Sequence, residues 1–427
     1  MNNFNKIFIC EGAKFINVKD DKFKTTKICC NFFLPLDEKT VAANSLLAYL
    51  LVHSCKKYQD FLSMNKKLSE LYGASLSVNV EKMGESQIIT LSIEGIDDRY
   101  SLDNCSVSEQ LTKLLCDVIF DPAFDENRMF NNNVLEQERR QLIEAIEADF
   151  NDKRIYAKQR CEELMCDGEK FAISAYGTKE NVAKVTHKDI YVAWRRLIEN
   201  SNVQIIMLGN SNPSLSYEVF RNYFSTINRN NIFSCSTNII KDVDKVREFN
   251  DKIDVMQCKL VMGFRVGIAG MDDDVTAAKI TTALFGGTPS SKLFLNVREK
   301  MSLCYYCLAK YNRYKGIVIV ESGVEKDNIE KAKNEILNQL DLVKSGEITD
   351  FEIDSTKKLF CNTLGMMADK ISSLESWYTG QFFDDTMITP EQYMDRIMEV
   401  TKEDIIRCAN KFKLDTVYTL IGNGEKE

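Results

Sequence analysis

The sequence predicts an α+β fold made twice over: two homologous domains, each an antiparallel β-sheet packed with helices. Three observations carry this. First, V-T-H-K-D-I at Val185–Ile190, followed by I-M-L-G-N at Ile206–Asn210, returns half a chain later as V-T-K-E-D-I at Val400–Ile405 and T-L-I-G-N at Thr419–Asn423. That period is far longer than the roughly 20–50 residues of solenoid repeats and marks a duplicated domain. Second, 427 residues are too many for one core and suit two domains of about 200 residues each. Third, each half runs strand, turn, helix, helix, two alternating strands and then charged helices, an order that layers helices on an antiparallel sheet.

The elements follow in order. In the first copy, Lys27–Leu34 is apolar and β-leaning, Pro35 and Asp37 mark a turn, and Thr40–Leu51 is an amphipathic helix. In the second, Lys259–Val266 is the strand, Gly267–Asp274 the turn and Val275–Phe285 the helix. Both helices carry an alanine pair, Ala42-Ala43 and Ala277-Ala278, small enough for close packing on a sheet. A second helix follows in each copy, at Asp60–Tyr72 and at Ser290–Lys300. Alternation as in S-L-S-V-N-V and apolar runs as in G-I-V-I-V-E-S-G give half-buried strands at Ala74–Glu81, Gln87–Glu94, Leu303–Tyr311 and Gly316–Ser322. Charged helices come next, Val107–Phe120 and Glu126–Met165 in one half, Asp327–Ser345 and Asp350–Phe382 in the other. The polar stretch 226–252 has no strong periodicity and reads as a linker between an N-terminal domain, 1–225, and a C-terminal domain, 253–427.

Bulk properties exclude several classes. A net charge of −8 offers no basic face for nucleic acid. The longest apolar stretch, Leu46–Val52, falls far short of the roughly 20 residues that span a bilayer, so no membrane insertion is expected. The opening M-N-N-F-N-K-I-F-I-C-E-G lacks a signal-peptide core, and 14 cysteines in such a chain are expected to stay reduced. A cytoplasmic location is the expectation.

The segment L-F-G-G-T-P-S-S-K-L-F-L-N-V-R-E-K-M-S-L-C-Y-Y at Leu284–Tyr306 resembles the C-terminal domain signature of the pitrilysin-like zinc peptidases, the family of the mitochondrial processing peptidase. Lys56-Lys57-Tyr58 and L-Y-G-A-S-L-S-V-N at Leu71–Asn79 resemble the N-terminal domain's pattern, so the resemblance spans essentially the whole chain. It implies that the two domains form half of a clam-shell chamber. The family's chemistry uses an H-x-x-E-H helix, in which two histidines bind zinc and the glutamate polarises the bound water. Aligned on the K-K-Y segment, Ser45, Ala48 and Tyr49 stand where His, Glu and His belong, and Ala145 falls on the distal ligand position. Glu144, beside it, points about 100° around the helix. The resemblance therefore implies no zinc site, no metal and no catalytic residue in this chain.

What the resemblance carries over is Arg298 and Tyr305, an Arg-Tyr pair that in the family reaches toward substrate held at zinc. A guanidinium and a phenol can hydrogen-bond a peptide carbonyl and the charge that develops on it. The implied role is the non-catalytic subunit of a heterodimeric zinc metallopeptidase. A catalytic pitrilysin-like paralogue would bring H-x-x-E-H and zinc, and the substrates would be peptides or leader segments. The alternative is a peptide-binding or scaffold protein in a modification or secretion pathway. An independently active hydrolase is disfavoured, because the only histidines, His53 and His187, leave no Ser-His-Asp or Cys-His set.

Other motifs read as structural. His53 with Cys55 nearby lacks the further ligands of a metal site. Cys304-x-x-Cys307 lies in a predicted strand, where residues three apart face opposite ways, and reads as two packing cysteines. The carboxylate-rich run Glu136–Asp149 fits a solvated amphipathic helix with Leu135, Leu142 and Ile146 as its apolar stripe. Gly286-Gly287 belongs to no nucleotide-binding pattern.

Overall fold

The computed structural model describes residues 4–102 and 105–422, so Asn423 of the second G-N motif lies outside the described residues. The strands are β1 Phe4–Cys10, β2 Ala13–Lys19, β3 Thr25–Pro35, β4 Ser75–Met83, β5 Ser86–Ile96, β6 Asn202–Gly209, β7 Arg247–Ile253, β8 Cys258–Arg265, β9 Cys304–Asn312, β10 Ile317–Val324 and β11 Lys413–Gly422. Helices of the first half are α1 Val41–Leu51, α2 Phe61–Glu70, α3 Val107–Phe120, α4 Asn132–Asn151, α5 Lys153–Met165, α6 Lys179–Lys184, α7 His187–Asn200 and α8 Pro213–Ser225. Those of the second are α9 Val275–Thr282, α10 Ile329–Lys344, α11 Asp350–Ala368, α12 Ile371–Thr379, α13 Pro390–Glu399 and α14 Lys402–Ala409, with π-helical segments at Ala283–Gly287 and Leu293–Lys300. Among the described residues no helix is long and apolar enough to cross a membrane.

The two sheets repeat one topology. The first has the order β1-β2-β6-β3-β5-β4, and the second β7-β11-β8-β10-β9. In each, one strand pair is parallel, β2 with β6 and β7 with β11, and the rest are antiparallel. The second copy thus opens at β7, inside the polar stretch that reads as a linker. Residues R-E-F-N-D-K-I of β7 alternate half-buried and exposed, so this edge strand shows no apolar run. The duplicated V-T-x-x-D-I motif is a helix start. Thr186 accepts from Asp189 N while Asp189 caps the Thr186 backbone, and Thr401 and Asp404 do the same, giving two capping boxes ahead of buried Ile190 and Ile405.

Each structural unit takes a helix from the other half of the sequence. Unit 1 comprises 1–146, 173–236 and 369–382; unit 2 comprises 147–172, 237–368 and 383–427. In unit 1 the even-numbered residues of β3, namely Ile28, Cys30, Phe32 and Leu34, join one hydrophobic core with α1, α3, α7 and α8. The odd-numbered ones face α12. Lys27 Nζ pairs with Glu375 Oε2 at 2.5 Å, Asn31 Nδ2 donates to Thr379 Oγ1 at 3.0 Å, and Phe33 stacks on Phe382 with ring centroids 3.6 Å apart. In unit 2 the face formed by Val261, Ile317, Ile319, Tyr418 and Leu420 is covered by Ala157, Cys161 and Met165 of α5. The backbone comes close here: a Cβ on Gly263 would stand 2.5 Å from Met165 Sδ.

This exchange explains why two long predicted helices are each two. The run 126–165 breaks at Asp152, whose carboxylate accepts from the backbone of Arg154 and Ile155 and starts α5. The run 350–382 breaks at Lys370, extended at φ −117° and ψ 122°, before α12. Charge periodicity continues through both breaks, because all four pieces keep a solvated face.

A buried charge cluster fixes α5 and the segment after it in unit 2. Arg265 on β8 is 2% exposed and Lys315 is fully buried. Arg265 Nη2 reaches Glu169 Oε1 at 2.5 Å and donates to Met165 O at 2.7 Å, and Arg265 Nε reaches Asp415 Oδ2 at 3.0 Å. Lys315 Nζ holds the other Glu169 oxygen at 2.6 Å, and Arg247 Nη2 holds Asp415 Oδ1 at 2.6 Å. Asp415 is the extra residue of a bulge in β11, which turns its carboxylate toward both arginines. Burial alone would raise the Glu169 carboxyl, but hydrogen bonds from Arg265 and Lys315 outweigh it and hold it below the ordinary range. Asp415 is lowered in the same way, burial being outweighed by hydrogen bonds from Arg247, Thr416 and Arg265.

Replacing Glu169 by Ala takes the carboxylate from buried Lys315 and one of two from Arg265, and should cost about 3–5 kcal/mol in a urea denaturation midpoint analysis. Both carboxyls titrate below their unfolded values, so their contribution is complete above about pH 5 and is lost as pH falls through the depressed folded values. Stability measured by urea titration across acid pH should therefore fall less steeply in Glu169→Ala than in the natural chain.

Candidate functional site

The α1 helix, where the zinc motif would lie, is built into the core rather than opened to a ligand. Ten of its 11 residues are buried, since it packs against α7, β4 and β5. Ser45 is fully buried and its hydroxyl donates to Val41 O at 2.9 Å. Gln87 on β5 donates from Nε2 to Ser45 Oγ at 3.0 Å and to Ala175 O at 2.7 Å, while its Oε1 accepts from Asn44 Nδ2 at 2.9 Å. The Ser45 oxygen is thus committed to a polar knot joining α1, β5 and the turn at Ala175. Ala48, in the place of the general base, presents a buried methyl. Tyr49 is half-buried; burial, and then the neighbouring Tyr176 hydroxyl, push its phenol up to about 12. Ala145 and Glu144 are both exposed on α4, and Glu144 lies 3.9 Å from Arg140. No atom at these four positions is a free, ionised donor, so a zinc ion of the family type does not fit here.

The two histidines have separate surroundings. His53 follows α1 directly, and its Nε2 lies 2.7 Å from Oε1 of Glu138, a buried carboxylate on α4. Its neighbour Cys55 is fully buried and bridges by backbone to Pro122. His187 opens α7, with Nε2 3.3 Å from Asn132 Oδ1. Among the described residues no three His, Cys, Asp or Glu side chains converge as a metal would require. Sequence reasoning missed Gln87, Glu138 and Tyr176. Two signals were available: Gln87 is the polar intruder at the start of an apolar strand, and Glu138 is the lone carboxylate on the Leu135–Leu142 stripe.

Arg298 and Tyr305 are both accessible. Arg298 lies in the last turn of the second π-helical segment, its guanidinium 4.6 Å from the Phe294 ring and its Nε 3.5 Å from Glu299 Oε1. Tyr305, 61% exposed, sits near the start of the edge strand β9, and its hydroxyl donates to Glu325 Oε1 at 3.2 Å. Each side chain has its own exposed acidic partner, and neither is buried in the core. Both keep donors or an aromatic face that a ligand could engage.

The pair Cys304 and Cys307 departs from the sequence expectation. In the β9–β10 ladder Ser322 faces Cys307, Gly323 faces Tyr306 and Val324 faces Cys304, so Tyr305 is an extra, bulged residue. One extra residue shifts the alternation by one. Cys304 and Cys307 therefore share the inner face, and both are buried there. Gly323 allows this arrangement, because a Cβ there would meet the Tyr306 ring at 2.5 Å.

Comparison with known proteins agrees with this architecture. Residues 184–360 match the family model described as the Peptidase M16 inactive domain. The chain is 31% identical over 405 residues to the "Probable inactive metalloprotease YmfF" of Bacillus subtilis, covering 95% of each. A conserved protein from Enterococcus faecalis superposes over the full length of both chains with a TM-score of 0.90 at 25% identity. A peptidase M16 inactive domain from Pseudomonas fluorescens shares the fold, with a TM-score of 0.81 at 15% identity over 99% of each chain. An α+β repeat of this topology, matched over nearly its whole length and holding no H-x-x-E-H sequence, belongs to the pitrilysin-like, or M16, peptidase family as a member without the zinc motif.

Proposed function

We propose that this chain is the non-catalytic subunit of a heterodimeric zinc metallopeptidase, partnered with an H-x-x-E-H paralogue that cleaves peptides or leader segments. The observation that carries this reading is a contrast between two sites. The positions aligned with the zinc motif on α1 are consumed by internal hydrogen bonds and apolar packing, whereas Arg298 is partly exposed and Tyr305 stands exposed on an edge strand. Arg298 would give a peptide carbonyl a charged, fork-shaped donor, and Tyr305 would give a phenolic one. The open edge of β9 offers unpaired backbone groups on which an extended peptide can add as a further strand. Donors of this kind act on a reaction run by another subunit if they lie where charge develops on the substrate. Zinc belongs to the partner in this scheme, and the scheme is cytoplasmic.

The test is to purify the chain alone and with a paralogue carrying H-x-x-E-H, and to measure zinc content and peptide cleavage in each. The expected result is activity in the mixture, with zinc bound to the paralogue. Activity with stoichiometric zinc in the isolated chain would overturn the reading, and a mixture that stays inactive would favour the scaffold alternative. Within an active mixture, Arg298→Ala should lower kcat/KM by about tenfold to a hundredfold, as loss of a charged hydrogen bond worth about 1.5–3 kcal/mol predicts. Co-elution with the paralogue should be unchanged.

A further inference from the structure

We propose that Cys304 and Cys307 form an oxidisable dithiol, a redox site that a peroxide converts to a disulfide within one strand. The bulge at Tyr305 is what creates it, since it brings both sulfurs to the inner face of β9. They are neighbours on that face, opposite Ser322 and Val324 of β10, with Arg298 close enough to act electrostatically on Cys304. The two are not equivalent. The neighbouring Cys307 thiol, above all, favours the Cys304 thiolate despite its burial, and Arg298 adds to it. Cys307 shifts the other way, through its neighbour Cys304 and through burial. Elsewhere, burial raises the thiols of Cys29, Cys30, Cys116, Cys161, Cys166 and Cys408. One thiol of the pair is therefore suited to attack and the other to resolve.

The chemistry balances with hydrogen peroxide as oxidant. The Cys304 thiolate attacks one peroxide oxygen, the O–O bond breaks, and the sulfenic acid forms while the departing hydroxide takes up the proton that the thiol lost, leaving as water. The Cys307 sulfur then displaces hydroxide from the Cys304 sulfur, the S–S bond forms, and the Cys307 proton leaves with that hydroxide as a second water. Two thiols are oxidised by two electrons and one peroxide is reduced to two waters. A disulfide requires Cα atoms about 4.4–6.8 Å apart, and this one closes across the bulge that carries Tyr305. This chemistry is independent of whether Arg298 and Tyr305 bind a peptide.

The test uses the full chain, treated with hydrogen peroxide, quenched, alkylated and digested with trypsin. Cleavage after Lys300 and Lys310 places both sulfurs on one peptide, M-S-L-C-Y-Y-C-L-A-K. The expected product is that peptide lighter by two hydrogens and unable to take two alkyl groups, formed before the other buried cysteines react. Recovery of the doubly alkylated peptide after those others have oxidised would overturn the proposal. Cys307→Ser should leave Cys304 as a sulfenic acid that dimedone traps, and Cys304→Ser should abolish oxidation at Cys307. Equal oxidation of Cys307 in Cys304→Ser would overturn the assignment of the attacking thiol.

Discussion

The architecture depends on Arg265. A sheet of five strands with helices on one side leaves its second face bare, and unit 2 covers that face with a helix taken from the first half of the sequence. Apolar contact alone specifies such a docking loosely. The guanidinium of Arg265 adds direction, because it must meet Glu169, Asp415 and the Met165 carbonyl at once. The cost of burying these charges is large, and only the full set of partners offsets it. Unit 1 solves the same problem more gently, with the Lys27–Glu375 pair and the amide of Asn31 holding α12.

Much of this was legible in the sequence. The duplication, the paired strands and the first helix of each copy follow from periodicity and turn chemistry, which are local properties. The family match and the α+β architecture stand on the same residues. What escaped was non-local. Nothing at Asp152 or Lys370 states that the next helix belongs to a different sheet, since amphipathic periodicity tells which face is buried and not against what. The edge strand β7 was hidden for a related reason: with one side open to solvent, its residues never form an apolar run. The Cys304–Cys307 spacing misled because strict alternation was assumed, and one bulged tyrosine is enough to reverse it.

At the candidate site, the sequence named the positions aligned with the zinc motif but not what surrounds them in the fold. Ser45 reads as a lost ligand; in the fold it is a member of a hydrogen-bonded knot whose hub, Gln87, lies on another strand. A buried helix must satisfy its polar groups or do without them, and α1 does both, with a bonded serine at 45 and a methyl at 48. Fold and chemistry are therefore separable here: the scaffold persists on packing alone, and any function must be argued from the groups still exposed.

The exchanged helices also set an order of events during synthesis. All six strands of the first sheet have been made once Gly209 is translated, yet α12, which covers their second face, begins only at Ile371. At about 5–20 residues per second the interval is roughly 8–30 s. Throughout it the nascent sheet presents Phe33, Asn31 and Gln204 without the helix that later packs on them. The first-made sheet thus waits through most of the second half of synthesis before its other face is covered, while the second sheet lacks only β11 by then.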